Sequence, residues 1–97
     1  MIIAKVIGNT WASRKHPHVN GKLLLVVPID PMTEKPLGDA AMAVDGGVDA
    51  GPGSVVLVVD EGGSARAIIG DPEAPVRTVV CGVVDRVTSG GKMKKYA

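Results

Sequence analysis

The six residues from Ser54 to Val59 constrain the fold of this chain more than any other segment. Five of the six are apolar and four of them are valine, whose branched side chain favours extended backbone. No polar residue interrupts the run between Val55 and Val59, so the segment predicts a β-strand that is buried on both faces. Such a strand must be surrounded by other strands of the same domain.

A glycine-rich loop precedes this strand. It runs from Ala43 to Gly53 and contains four glycines, Gly46, Gly47, Gly51 and Gly53. Because glycine adopts positive φ without a Cβ penalty, the loop can turn sharply or allow another backbone to approach closely. A second glycine pair, Gly62-Gly63, follows the strand and opens a short polar segment.

Alternating or continuous apolar residues predict the remaining strands, with Gly8 marking a bulge in the first of them. We expect strands over Ile2–Thr10, over Lys22–Asp30 as a second buried strand, over Ala40–Val44 and over Val76–Val87, and the basic tail Lys92–Ala97 adds an edge strand. The polar stretch Trp11–Asn20 is expected to be an exposed loop, and Asp30–Gly38 a hairpin-like connection.

One short helix is predicted over Ser64–Ile69, with Ser64 as its N-cap and Gly70-Asp71-Pro72 as its stop. The strands follow one another too closely for crossover helices, which disfavours a parallel sheet. A mainly β fold results: one domain over residues 1–97, built as a five- to six-stranded OB-like β-barrel with one short helix. Closure hides the edges of the valine-rich strands.

Composition narrows the function classes. The chain has 97 residues, is 45% hydrophobic and carries a net charge of +1, which gives no general attraction to nucleic acid or to an anionic membrane. No apolar run approaches the length of a membrane span, and no signal peptide is recognised at the start. The single cysteine, Cys81, has no partner for an internal disulfide, which fits a reducing cytosol.

The residues that could carry chemistry do not form a recognisable active site. His16 and His18 supply only half of a zinc site, and Cys81 is expected to be a buried, inert thiol. Asp45, Asp49 and the pair Asp60-Glu61 are interpreted as loop carboxylates that cap turns. We therefore expect no enzymatic activity, no cofactor and no metal.

A different class of function stays open for a barrel of this kind. OB barrels commonly bind single-stranded nucleic acid by stacking bases on aromatic side chains within a basic groove. The chain offers only Trp11 and Tyr96 as aromatics, and its eleven Lys and Arg residues are offset by ten Asp and Glu residues. Nucleic-acid binding is therefore the alternative hypothesis, and the expectation is that specific binding does not occur.

Five sequence motifs, in order along nearly the whole chain, resemble the EutN/CcmL family of pentameric vertex proteins of bacterial microcompartment shells. They are Ala4-Lys5-Val6-Ile7-Gly8, Gly21-Lys22-Leu23-Leu24-Leu25 with Asp30, Ala43-Val44-Asp45 with Ala50-Gly51-Pro52-Gly53, Gly63-Ser64-Ala65-Arg66, and Val80-Cys81-Gly82-Val83-Val84-Asp85. The chain departs from the family pattern at Asp49, where many members have glycine.

The resemblance implies a cyclic homopentamer that closes the fivefold vertices of a shell whose facets are tiled by hexameric shell proteins. It implies a cytoplasmic location within that shell and no role for nucleic acid or membrane. We expect the subunit interface and the pore to involve Asp45, Val48, Asp49, Ala50, Gly51, Gly53, Gly63, Ser64 and Arg66. The loop is expected nearer the fivefold axis than the segment Gly63–Arg66.

Overall fold

In the computed structural model, which describes residues 1–96, five strands close into a barrel and a two-stranded hairpin lies at the C-terminal end. The elements are β1 (Ile2–Thr10), β2 (Leu23–Pro28), β3 (Ala41–Asp45), β4 (Val55–Asp60), α1 (Gly62–Ile69), β5 (Thr78–Val83), β6 (Arg86–Ser89) and β7 (Lys92–Lys95). The barrel order is β1-β2-β3-β5-β4, and β4 pairs back onto β1. The predicted small closed barrel with one helix is confirmed.

Pairing within the barrel is antiparallel except for the contact between β3 and β5, which is parallel. The register of β1 against β2 shifts between Val6 and Gly8, so the bulge predicted at Gly8 is present. A second shift lies between Leu57 and Val58, where β4 pairs with β5. Bulges increase local twist, which helps a short sheet to close on itself.

The core is aliphatic and its centre is β4. Val55, Val56, Val58 and Val59 are all buried, so the strand predicted to be covered on both faces is confirmed. The expectation of a second such strand over Lys22–Asp30 is wrong, because β2 alternates. Leu24 and Val26 face the barrel interior, while the residues between them are half-buried on the outer wall.

The expected single strand over Val76–Val87 is also wrong, because β5 ends at Val83 and a separate β6 begins at Arg86. The basic tail does form a strand, but β7 pairs with β6 and not with the barrel. Gly90 and Gly91 make the turn between them with φ of 57° and 77°. Ala97, the last residue of the predicted tail, lies outside the described residues.

The helix begins two residues earlier than predicted, and Ser64 is not its cap. Glu61 is the N-cap: its carboxylate accepts hydrogen bonds from the backbone N–H groups of Gly63 at 2.7 Å and Ser64 at 2.8 Å. A hydrogen bond from the Ser64 side chain, together with these two backbone bonds, favours the charged form and lowers the pKa of Glu61 to about 2. At the other end, Gly70 ends the helix with a left-handed φ of 80°, as predicted.

Two local expectations are confirmed and one is corrected. Residues 11–20 form an irregular loop in which Trp11 is 91% exposed, and the segment after β2 folds back through a bridge between Ile29 and Pro36. The thiol of Cys81 is half-buried and not fully buried, with its Sγ 3.6 Å from the Leu57 carbonyl oxygen.

Candidate subunit interface

Asp45 fixes the shape of the glycine-rich loop from inside the subunit. Its side chain is 2% exposed. One carboxylate oxygen accepts hydrogen bonds from the N–H groups of Gly47 at 2.8 Å and Val48 at 2.9 Å, and the other accepts one from Ala50 at 2.9 Å. The interpretation of Asp45 as a turn-capping carboxylate is confirmed, and the loop is a preformed structure.

Lys22 clamps the same loop from the start of β2. Its ammonium group donates to Asp49 Oδ1 at 2.6 Å and to the Ala50 carbonyl oxygen at 2.8 Å, and it lies 3.8 Å from Asp45 Oδ2. The hydrogen bond and the charge of Lys22 lower the pKa of Asp49, and Asp49 in turn raises the pKa of Lys22. The clamp keeps Asp49 paired, although that side chain is 93% exposed.

The loop residues divide into inward and outward groups. Ala50 is 1% exposed and belongs to the barrel core, against which the half-buried Val48 packs. Asp49 and Gly53 face outward, and Gly51 is half-buried. Asp49 adopts a left-handed φ of 57°, a conformation that asparagine, aspartate and glycine accept most readily. The surface available for a second subunit is therefore the narrow tip formed by the outward residues.

For three of the four loop glycines, the structure of one subunit explains why a glycine is needed. Gly47 and Gly53 have φ of 99° and 92°. A Cβ on Gly46 would lie 2.6 Å from the Val80 carbonyl oxygen and 2.9 Å from Ile68 Cγ2. Gly51 differs, because its φ is not in the positive region and a Cβ there would meet no atom of the described residues within 4 Å. The fold of one subunit does not explain this glycine.

The segment Gly63–Arg66 lies at the start of α1. Gly63 and Ser64 are exposed and their N–H groups are committed to Glu61. Arg66 is half-buried and lies against the backbone of Gly62, where an added Cβ would be 3.0 Å from its Nη1 atom. Contact between Gly46 and Ile68 joins the first part of the loop to the last turn of α1, whereas Gly53 and Gly63 lie beyond opposite ends of β4.

Sequence reasoning missed the roles of two residues that organise the loop and the start of α1. Glu61 was interpreted only as a turn-capping carboxylate, because Ser64 is the residue type that helix N-termini favour. Lys22 was overlooked because its partners are 27 and 28 residues away along the chain. The turn signal Asn20-Gly21 just before it places Lys22 at a strand start, but no local pattern predicts the clamp.

The part of the chain that the structure describes contains no cluster of three or more histidine, cysteine, aspartate or glutamate side chains arranged to hold a metal ion. His18 instead bridges two loops, with Nδ1 at 2.6 Å from Asp71 Oδ2 and Nε2 at 3.3 Å from Glu73 Oε2. This contact lowers the pKa of Asp71. Within residues 1–96, no helix is long and apolar enough to cross a membrane.

A closed aliphatic barrel whose glycine-rich loop is fixed from within defines a rigid building block, and comparison with known proteins places it in a family. The family described as "Ethanolamine utilisation protein EutN/carboxysome" matches residues 1–85. The bacterial microcompartment shell vertex protein EutN of Escherichia coli (strain K12) is 42% identical over 94 residues, which cover 96% of each chain. The chain belongs to the EutN/CcmL family, as its motifs predicted.

Solved structures agree with this assignment. The structure of CcmL from Gloeobacter violaceus has a TM-score of 0.84 and 35% identity, with 96% of this chain and 94% of that chain covered. The GrpN pentameric microcompartment shell protein from Rhodospirillum rubrum has a TM-score of 0.79 and 32% identity, covering 92% of this chain and 99% of that one.

Proposed function

We propose that this chain is a shell vertex protein that assembles as a homopentamer and closes the fivefold corners of a bacterial microcompartment. The observation that carries the proposal is its similarity, over 92% of its length, to a structure described as a pentameric microcompartment shell protein. Its EutN and CcmL relatives are likewise named as shell vertex proteins of microcompartments and carboxysomes. The proposed location is the shell, in the cytoplasm, and the proposed partners are hexameric shell proteins.

The physical character of the subunit supports a structural role. A cyclic ring uses two different surfaces of each copy, and it closes only if the subunits keep a fixed angle to one another. A rigid barrel with a loop held by Asp45 and Lys22 provides that constancy. We propose no catalytic role, because the titratable groups of the loop are engaged in holding its backbone.

The proposed interface consists of outward groups of the loop and of the start of α1, namely Asp49, Gly51, Gly53, Gly63, Ser64 and Arg66, with the loop groups supported from behind by Asp45, Val48 and Ala50. Gly51 is the strongest indication, because nothing within the subunit requires a glycine there. Arg66 presents a planar guanidinium that suits carbonyl or carboxylate groups of a neighbouring copy. With the loop nearer the axis, five copies of Asp49 would surround the opening, each neutralised by its own Lys22.

Native mass spectrometry at micromolar concentration tests the assembly. The expected species has five times the 9.9 kDa mass of the subunit. Monomer or dimer alone would contradict the proposal, and a cyclic hexamer would keep the shell role but exclude the vertex. Co-expression with a hexameric shell protein, followed by electron microscopy, tests the partner: closed polyhedra are expected with this chain and open or tubular shells without it.

The alternative of single-stranded nucleic-acid binding gains no support from the relatives, which are named as shell proteins. Weak stacking and few phosphate contacts are expected from two aromatics and a near-neutral charge. A mixed-sequence oligonucleotide should therefore bind weakly at physiological salt. Sub-micromolar affinity would favour the alternative.

A further inference from the structure

The β6–β7 hairpin has a charge distribution that the fold of the subunit does not explain. Residues 86–97 contain four cations, Arg86, Lys92, Lys94 and Lys95, and no acidic residue. The hairpin is thus a strongly basic element that follows the last strand of the barrel.

One side of the hairpin faces the connection that follows β2 and is held there. Lys94 donates to Glu34 Oε2 at 2.8 Å and to the Met32 carbonyl oxygen at 3.4 Å, and the Tyr96 hydroxyl donates to the Pro31 carbonyl oxygen. Contact with Glu34 raises the pKa of Lys94. Of the four cations, only Lys94 takes part in holding the hairpin in place.

The other side of the hairpin is exposed and places like charges together. Arg86 lies directly opposite Lys95 in the register, and Thr88 lies directly opposite Met93. Because the side chains of one face alternate along each strand, these four residues share the outward face. All four are exposed, and Met93 is 52% exposed.

A directly opposed pair of like charges destabilises an antiparallel sheet. Within residues 1–96, neither Arg86 nor Lys95 has a carboxylate partner within salt-bridge distance. A local arrangement that opposes folding and has no compensation inside the subunit is a mark of a surface used for binding. The surface combines two cations with an exposed methionine and the methyl group of a threonine, so it suits a ligand that is both anionic and apolar.

We propose that the outward face of the β6–β7 hairpin, formed by Arg86, Thr88, Met93 and Lys95, is a docking site for an acidic, partly apolar peptide segment of another protein. Charge complementarity selects the partner: a carboxylate between Arg86 and Lys95 relieves their repulsion, and an adjacent apolar side chain covers Met93. A peptide fits this face better than nucleic acid does, because the face carries no aromatic residue for base stacking. This face shares no residue with the proposed subunit interface, so the docking proposal does not rest on the oligomeric state.

Fluorescence anisotropy of the full chain with a labelled peptide of alternating glutamate and leucine tests the proposal at physiological salt. We expect saturable binding that the double variant Arg86→Gln/Lys95→Gln weakens by about tenfold or more. The matched control Arg14→Gln/Lys15→Gln removes the same charge from the exposed loop of residues 11–20 and should weaken binding by less than about twofold, since screening limits distant charges. Met93→Ser should weaken binding by a smaller factor.

A thermal melt of the same variants separates binding from folding. Removing the opposed charges should leave the melting temperature unchanged or raise it while binding is lost. Equal weakening by both double variants would overturn the proposal, as would tighter binding to a single-stranded oligonucleotide than to the peptide. Loss of the oligomer in Arg86→Gln/Lys95→Gln, followed by sedimentation, would also overturn it, since the face would then lie between copies of this chain.

Discussion

The glycine-rich loop of residues 45–53 and the hairpin of residues 86–95 are both surface elements, yet they relate to the barrel in opposite ways. The loop directs three backbone N–H groups to one buried carboxylate and places Ala50 in the core. The hairpin buries no side chain fully. The loop is therefore built as part of the barrel, whereas the hairpin is attached beside it and lacks the internal bonds that make the loop rigid.

Replacing Asp45 with alanine should have the largest effect on folding. The change leaves the N–H groups of Gly47, Val48 and Ala50 without an acceptor in a site closed to water. We expect a loss of about 3 kcal/mol or more in the free energy of unfolding, measured by urea denaturation. Asp49→Ala, which alters an exposed partner of Lys22, should change that free energy far less, because solvent screens an exposed ion pair. Similar losses for both variants would contradict the buried role of Asp45.

Alanine substitutions at two glycines of the loop distinguish a glycine that the fold of the subunit needs from one that it does not need. Gly46→Ala places a methyl group 2.6 Å from the Val80 carbonyl oxygen and should lower the free energy of unfolding by about 2 kcal/mol. Gly51→Ala meets open space and should leave stability unchanged or raise it slightly. Urea denaturation of the two variants checks this, and a large loss at Gly51 would mean that its position has a requirement within the subunit.

Much of the barrel was predictable because its signals are local. The valine run of β4, the bulge at Gly8 and the stop at Gly70 each follow from residue types that are adjacent in sequence. The end of β5 was not predictable, since apolar residues continue through Val84 with no glycine or proline at the break. The pairing of β7 with β6, and the clamp from Lys22, depend on contacts that local patterns do not encode.

The same distinction applies to the interface. Glycine content predicted that the loop is unusual, but only the structure shows that Gly46, Gly47 and Gly53 serve the subunit and that Gly51 does not. Ser64 fitted the usual pattern of an N-cap, yet the glutamate three residues earlier reaches the free N–H groups first. The family resemblance predicted the region of the interface, and the side-chain geometry separates the inward residues of that region from the outward ones.

Tyr96→Phe tests the attachment of the hairpin. Removing the hydroxyl deletes the hydrogen bond to the Pro31 carbonyl oxygen, which is worth about 1 kcal/mol. Hydrogen exchange should become several-fold faster for amides of β6 and β7, while amides of β4 keep their rates. Equal acceleration in both regions would show that the hairpin and the barrel unfold together. That result would contradict the view that the hairpin is only attached to the barrel.

The smallest expected effect is a pH dependence at the helix cap. Since the pKa of Glu61 is lowered to about 2, its stabilising contribution is present above the ordinary glutamate range and is lost as the pH falls from about 4.5 toward 2. Glu61→Gln keeps an acceptor without the charge. The difference in unfolding free energy between wild type and this variant should be larger at pH 6 than at pH 2.5. A difference independent of pH would contradict the charged cap.

The central claim is that the outward tip of the loop meets a neighbouring subunit in a pentamer. Sedimentation velocity of the wild type and of Gly51→Val, at several low micromolar concentrations, tests it most directly, with circular dichroism to confirm the fold. We predict a pentamer for the wild type, and for Gly51→Val smaller species with an unchanged spectrum, because the added side chain has room within the subunit but not between subunits. A Gly51→Val protein that remains fully pentameric would contradict the interface.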